Sequence, residues 1–268
     1  VSLKQVDYTY HPTSLYGAAR SYLAVRPRPA VLVHGMWSNA DVAWSQYQSF
    51  LDAVRTDWKA YAVGDRKAPG MMNTGNIDEP HLPLYTIRQN ALNLRAYIEG
   101  VRHQENAWHV DLVAHSMGGL ISRFYLSNLM RETSDDGYPV VNHFAMLGTP
   151  NLGSPCANLS SALGWKPVMI ELRPDVLRAY NRMWKQPRTI PFSIYAGDPL
   201  ANTCHVLVHG DGVVPLPSAL AIDPVGPRFA RQDVQKILHV DMTSLQYDFN
   251  QFVLPLLNGG PARAHETA

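Results

Sequence analysis

The segment Ala114-His115-Ser116-Met117-Gly118-Gly119 places a hydroxyl between small residues, Ala114 two positions before it and Gly118 two positions after. A serine hydroxyl is a weak nucleophile until a neighbouring base takes its proton. A sharp strand-to-helix turn presents such a serine well. It lifts the residue above the sheet in strained dihedrals, and it needs small neighbours because larger ones would drive the two backbones into each other. Glycine at both flanking positions is the usual arrangement, so the methyl of Ala114 is the smallest departure from it. At the start of the helix, free N–H groups and the helix dipole also favour the negative charge that develops in acyl transfer. A serine before an apolar periodic run commonly serves as a helix N-cap instead, and the segment taken alone supports that reading too.

The turn requires a strand before it and a helix after it. Trp108 to Ala114 is an apolar run of strand length, and the helix predicted from about Met117 to Arg131 carries Leu120, Ile121, Phe124 and Leu129 on its buried side. Pro29 to Gly35 reads as a central strand buried on both faces, bounded by Pro and Gly. Between them, Leu84, Ile87, Ala91, Leu94, Ile98 and Val101 recur at intervals of three and four, the stripe of an amphipathic helix. Further strands are predicted at Val140 to Leu147 and Ile190 to Ala196, and a last apolar helix at about Ser244 to Leu257. Strands alternating with helices of this length imply a mostly parallel sheet covered on both faces, hence a three-layer α/β/α fold.

Residues 151–188 break this alternation with Pro, Gly, Asn and Ser mixed among large apolar side chains, and they read as a small cap insertion over the sheet. The whole chain, 1–268, reads as one domain, with a Gly/Pro/Ala-rich, frayed tail at about 259–268.

With these elements in place, the chain resembles the α/β-hydrolase superfamily, and within it the bacterial lipases and esterases that carry His34-Gly35-Met36-Trp37 followed by Ala114 to Gly119. The resemblance runs from about Pro29 to Leu257. It implies a serine nucleophile, an acid and a histidine in that chain order, on loops at the carboxyl ends of the strands. Ser116 is then the nucleophile. For the acid, the resemblance favours Asp211 in Gly210-Asp211-Gly212-Val213-Val214-Pro215, although Asp between two glycines is also an ordinary turn residue. Asp198 is the runner-up and Asp223, in a Pro-rich loop, the weakest candidate. For the base, chain order selects His239 among 11 histidines. His205 and His209 precede Asp211, His265 lies in the tail, and His115 reads as a support of the turn.

The resemblance assigns the oxyanion hole to the backbone N–H groups of Met36 and Met117, leaving their side chains to shape an acyl pocket. His34-Gly35 alone would read as a strand-ending turn. Trp37, Leu152 and Trp165 are expected to contact substrate. The implied function is a serine carboxylic-ester hydrolase acting on an apolar acyl ester through an acyl-enzyme. An acyltransferase or amidase would use the same three groups, and a binding module would keep the scaffold without the chemistry.

Composition narrows the partners. The chain has 46% hydrophobic and 17% charged residues, which is globular usage, and 23 basic against 22 acidic side chains leave no overall field to attract nucleic acid. A small-molecule or lipid ester is the expected partner, with transient contact at a lipid interface. No run approaches the roughly 18 apolar residues of a membrane-spanning helix. No organic cofactor and no metal are expected, since Asp241 offers a calcium ion a single carboxylate without a second partner. Cys156 and Cys204 are the only cysteines. They read equally as a bridge tying the cap base to the acid loop or as two buried thiols. A bridge favours an oxidising compartment, extracellular or periplasmic.

Overall fold

The structure is a computed structural model that describes residues 2–3, 25–54, 59–63, 72–75, 84–130, 133–134, 137–158, 167–185, 187, 189–221 and 229–258. Two short strands, β1 (Ser2–Leu3) and β2 (Val25–Arg26), pair antiparallel. Six more form one sheet: β3 (Ala30–Val33), β4 (Ala60–Ala62), β5 (Val110–His115), β6 (Val141–Leu147), β7 (Phe192–Gly197) and β8 (Phe229–Gln235). Their spatial order is β4-β3-β5-β6-β7-β8, every pairing parallel. Parallel neighbours bring all carboxyl ends to one edge, and a site built from several strand ends must lie there.

Successive residues of a strand point to opposite faces, so each central strand feeds two cores. Val31, Val33, Leu112, Ala114, Phe144 and Met146 pack with α2 (Ile87–Gln104) and α3 (Met117–Asn128). Ala30, Leu32, Val113, Ala145 and Leu147 pack on the other face with α1 (Ala40–Val54) and the helical run 246–258. This is the expected three-layer α/β/α architecture of the α/β-hydrolase fold.

The predicted apolar stripe becomes the buried face of α2, with Ile87, Ala91, Leu94, Ile98 and Val101 inside. The helix starts at Ile87 because Thr86 caps it. Its hydroxyl accepts the Gln89 N–H while the Gln89 side chain accepts the Thr86 N–H, a reciprocal capping box. The last helix departs from the expected single element: Gln246–Asp248 is α-helical, Phe249–Val253 widens to a π-turn, and Leu254–Asn258 resumes the α form.

Between β6 and β7 the chain leaves the sheet and forms α4 (Pro167–Glu171) and α5 (Pro174–Met183). Buried polar groups pin this excursion down. Arg123 of α3 donates to the side-chain oxygens of Asn151 and Asn181, at 3.0 and 2.6 Å, and Asn181 donates to the Asn151 carbonyl at 2.8 Å. Glu171 accepts the Ile87 N–H at the start of α2, at 2.8 Å. Among the described residues, no helix is long and apolar enough to cross a membrane.

Candidate active site

Ser116 sits where β5 ends and α3 begins, at φ 54° and ψ −129°. A non-glycine residue at positive φ is strained by about 1–3 kcal/mol and persists only where its surroundings hold it. Here they do. The Ser116 N–H bonds the Leu147 carbonyl of β6 at 2.9 Å. The Ser116 side chain makes no capping bond to α3, so the hydroxyl is spared from the helix-cap role and is turned elsewhere.

Two glycines make room for the turn. A Cβ on Gly118 would stand 2.4 Å from the Val33 carbonyl oxygen and 2.5 Å from that of His34, both backbone atoms that cannot yield. A Cβ on Gly35 would meet the Ser116 Cβ at 2.6 Å. Ala114, by contrast, is fully buried in the core shared with α2 and α3, where its methyl is accommodated.

His239 stands on a short 3₁₀ turn, His239–Asp241, beyond β8. Its Nδ1 lies 2.7 Å from Asp211 Oδ2 and its Nε2 lies 2.9 Å from Ser116 Oγ. A carboxylate only accepts, so Nδ1 carries the proton and Nε2 is left to accept from the serine hydroxyl. The other Asp211 oxygen accepts the N–H groups of Val213 and Val214 at 2.9 and 2.7 Å, and the Asp211 carbonyl accepts the His239 N–H at 3.1 Å. Asp211 and His239 are both buried.

The other candidates lie apart from this chain of bonds. Asp198 forms an exposed cluster, accepting from Lys236 Nζ and His209 Nδ1, each at 3.0 Å. Asp223, Trp165, His265 and the tail from 259 to 268 lie outside the described residues.

Above Ser116 and His239 opens an apolar cleft of about 460 Å³. Its lining includes Met36, Trp37, Val42, Ala43, Pro150, Ala157, Met169, Leu172, Val213 and Val240. Two expectations about its lining change. Leu152 is absent from the cleft wall: its loop is tied down by its own N–H bonding Ser218 Oγ at 3.0 Å. Met117 is 1% exposed and belongs to the core between sheet and helices, so of the two methionines only Met36 faces the cleft. The tertiary packing of α3 on the sheet decides which way the Met117 side chain turns, which spacing in the sequence does not reveal.

Further contacts hold the surroundings of the site, and of these the sequence offered only the bridge, as one of two alternatives. Tyr47 donates its hydroxyl to the Met242 carbonyl at 2.6 Å, holding the far end of the His239 turn. His34 is buried beneath the oxyanion candidates and bonds the Gly35 carbonyl through Nδ1 at 3.0 Å, while Thr74 Oγ1 bonds the Ser38 carbonyl at 3.1 Å. Burial pushes the His34 imidazole down to about 4, against the opposing pull of that carbonyl. Cys156 and Cys204 are bridged, their Cα atoms 5.1 Å apart. The bridge fastens the loop after β6 onto the segment before Asp211, and Ser154 reinforces it with a 2.6 Å bond to the Val213 carbonyl.

The family model "Putative serine esterase (DUF676)" matches residues 29–170, just over half of the chain. The chain belongs to this family. Among solved structures, this DUF676 member resembles the mature lipase BlEst2 of Bacillus licheniformis, with 17% identity over 90% of this chain and 96% of that one and a TM-score of 0.61. It also resembles lipase 1 of Pelosinus fermentans, at 14% identity, 89% and 100% coverage and a TM-score of 0.60. The lipase of Staphylococcus hyicus matches at 13% identity, 86% and 92% coverage and a TM-score of 0.56. At such identities the likeness shows the shared fold. Family and fold together make the DUF676 protein a serine ester hydrolase of the lipase and esterase kind.

Proposed function

We propose that Ser116, Asp211 and His239 form the catalytic triad of a carboxylic-ester hydrolase that works through an acyl-enzyme. The observation that carries this reading is the continuous hydrogen-bonded path from Asp211 through both nitrogens of His239 to a strained serine at the floor of a cleft. His239 Nε2 takes the hydroxyl proton as Ser116 Oγ bonds to the ester carbonyl carbon. Asp211 keeps the imidazole in the required tautomer and stabilises the imidazolium. Collapse of the tetrahedral intermediate breaks the bond to the alkoxy oxygen, which leaves with the proton from His239. Water then repeats the sequence on the acyl-serine and releases the acid.

The backbone N–H groups of Met36 and Met117 are the proposed oxyanion donors. Met117 opens α3, so its N–H has no acceptor within the helix and is available to the developing charge. Each such donor is worth on the order of 3 kcal/mol of barrier. The apolar walls support an acyl chain as the bound part of the substrate, with Trp37, Met169 and Leu172 as contacts. The bridge between Cys156 and Cys204 supports an extracellular or periplasmic setting.

Turnover of p-nitrophenyl esters of graded chain length tests the reading, with the Ser116→Ala chain beside the parent. The expected result is hydrolysis by the parent and a loss on the order of 10⁶-fold in kcat for the variant. Turnover by the variant near the parent's level would overturn it. Adding a primary alcohol and analysing products separates hydrolysis from acyl transfer to the alcohol.

A further inference from the structure

The residue next to the nucleophile makes a bond that the triad does not use. His115 Nε2 lies 2.9 Å from the main-chain carbonyl oxygen of His239, and the two imidazole rings stand 4.7 Å apart, tilted by 42°. Since the carbonyl only accepts, Nε2 of His115 carries the proton and donates it. Two adjacent residues therefore grip one histidine at both ends: Ser116 meets the His239 ring, and His115 meets its backbone.

We propose that His115 is the positioning residue for the base, holding the His239 turn at a fixed height over Ser116 through this bond. The proposal rests on the triad reading above.

The turn needs such a hold. Ile237 and Met242 at its two ends are buried in the core, but Leu238 and Val240 on either side of His239 are 41% and 71% exposed, so the residues next to the base are held by hydrogen bonds more than by apolar packing. Besides the ring's own bonds to Asp211 and Ser116, three bonds among the described residues reach the turn's main chain from outside: His239 N–H to the Asp211 carbonyl, Tyr47 to the Met242 carbonyl, and His115 to the His239 carbonyl. The first starts from the acid loop and the second from α1. The third starts from β5 itself, where His115 is paired with Leu147 in the sheet ladder. It therefore ties the base to the strand that carries the nucleophile, and any drift of the loop relative to Ser116 must break it. Proton transfer needs the two atoms within about 3 Å, so a restraint of this kind acts on the chemical step more than on binding.

The donor must also stay uncharged. A second positive charge against His239 would oppose the imidazolium formed during the reaction. The groups facing His115 are His239, with Asp211 behind it, and His34. Burial, and next the neighbouring His239, push the His115 imidazole down to about 3, while the bond to the His239 carbonyl pulls the other way. His115 therefore donates as a neutral ring across the working range of an esterase.

The experiment compares His115→Gln, which keeps an N–H at nearly the same reach, with His115→Phe, which keeps the ring and loses the donor. kcat and KM are measured on the full chain with a soluble ester, and kcat is expressed per active site titrated with a serine-reactive phosphonate. Loss of one such bond is expected to lower kcat about tenfold in the Phe variant, with KM within twofold of the parent. The Gln variant should retain at least a third of the parent's kcat. Parent-like kcat in the Phe variant, a Gln variant as slow as Phe, or a loss carried by KM would each overturn the proposal. His115→Leu replaces Phe as the donor-less chain if Phe does not fold. The Ser116→Ala control separates the levels. If it abolishes turnover while the donor-less chains match the parent, only the role of His115 falls. If Ser116→Ala keeps turnover, the triad reading falls and takes this proposal with it.

Discussion

Strand β5 has an aspartate–histidine pair near each end, and the two pairs are built from nearly the same parts. At its start, Asp111 accepts from Arg28 Nε through both oxygens, at 3.2 and 3.1 Å, with His143 Nδ1 3.8 Å away. At its other end, about 16 Å away along the strand, Asp211 and His239 lead to Ser116. The lower carboxylate is spent on a buried guanidinium. Burial alone would push the Asp111 carboxyl up, but the Arg28 charge, with His143 helping, holds it below the ordinary carboxylate range. The upper carboxylate is spent on two backbone N–H groups and an imidazole whose second nitrogen points at a hydroxyl. A set of partners that closes on itself braces the sheet. A set that ends on a strained hydroxyl at a cleft can pass a proton along it.

If that contrast holds, equivalent substitutions at the two aspartates should fail in different measurements. Asp211→Asn replaces the acceptor with an amide that no longer fixes the Nδ1–H tautomer of His239, and kcat should fall on the order of 10⁴-fold with KM little changed. The chain should remain folded, because the amide can keep accepting from Val213 and Val214. A fall of less than tenfold would place the two aspartates in one class. Asp111→Ala leaves the Arg28 guanidinium buried without its counter-charge, which typically costs about 3–5 kcal/mol. Urea unfolding should show that loss, while kcat per titrated active site stays within twofold. A tenfold fall in kcat would instead mean that the lower pair feeds the site.

The two ends should also yield to acid in different ranges. His34, beneath the upper site, is 1% exposed and its folded value is pushed down to about 4. In the unfolded chain a histidine takes up its proton near 6.5. The stability from keeping His34 neutral is therefore complete above about pH 6.5 and is lost as pH falls toward 4, a change of about 3 kcal/mol. Asp111 behaves in the same sense at lower pH: its depressed folded value means that its contribution is present above about 4 and disappears below. Urea midpoints at pH 7, 5.5 and 4 should fall for the parent and fall less for His34→Gln. Parallel lines for the two chains would remove His34 as the source.

How much of this was readable in advance differs between the same regions. The turn at Ser116, the proposed nucleophile, is a local event. Small residues around Ser116, a strand before it and an apolar stripe after it all lie within about twenty residues, and the structure follows that reading closely. For the proposed base chain order is decisive, but Asp198 and Asp211 both lie between Ser116 and His239, so the proposed acid is favoured by the resemblance alone, and the difference in the structure is a loop path that sends Asp198 outward to Lys236. Strand β8, Phe-Ala-Arg-Gln-Asp-Val-Gln, was not anticipated because an edge strand need not bury both faces and here carries charged side chains. The brace at Arg28 and Asp111 was equally invisible, since its partners are 83 positions apart. The lining of the cleft was legible for Met36 and Trp37, which follow the end of β3, and misjudged for Leu152, whose loop is tethered from α6 (Leu216–Leu220) through Ser218.

The smallest expected effect concerns the one departure from the usual turn. Had glycine been needed at position 114 for the turn to form, Ala114→Gly should improve activity. The structure argues otherwise: Ala114 is a strand residue, fully buried, paired with Met146 on one side and Val33 on the other. The close approaches fall instead at Gly35 and Gly118. Removing the methyl therefore loosens a strand and empties a small part of the core, a loss of about 1 kcal/mol in unfolding free energy. kcat should stay within twofold. A rise in kcat of fivefold or more would show that the methyl strains the nucleophile, and the upper end of β5 would then be less well fitted to its task than the lower.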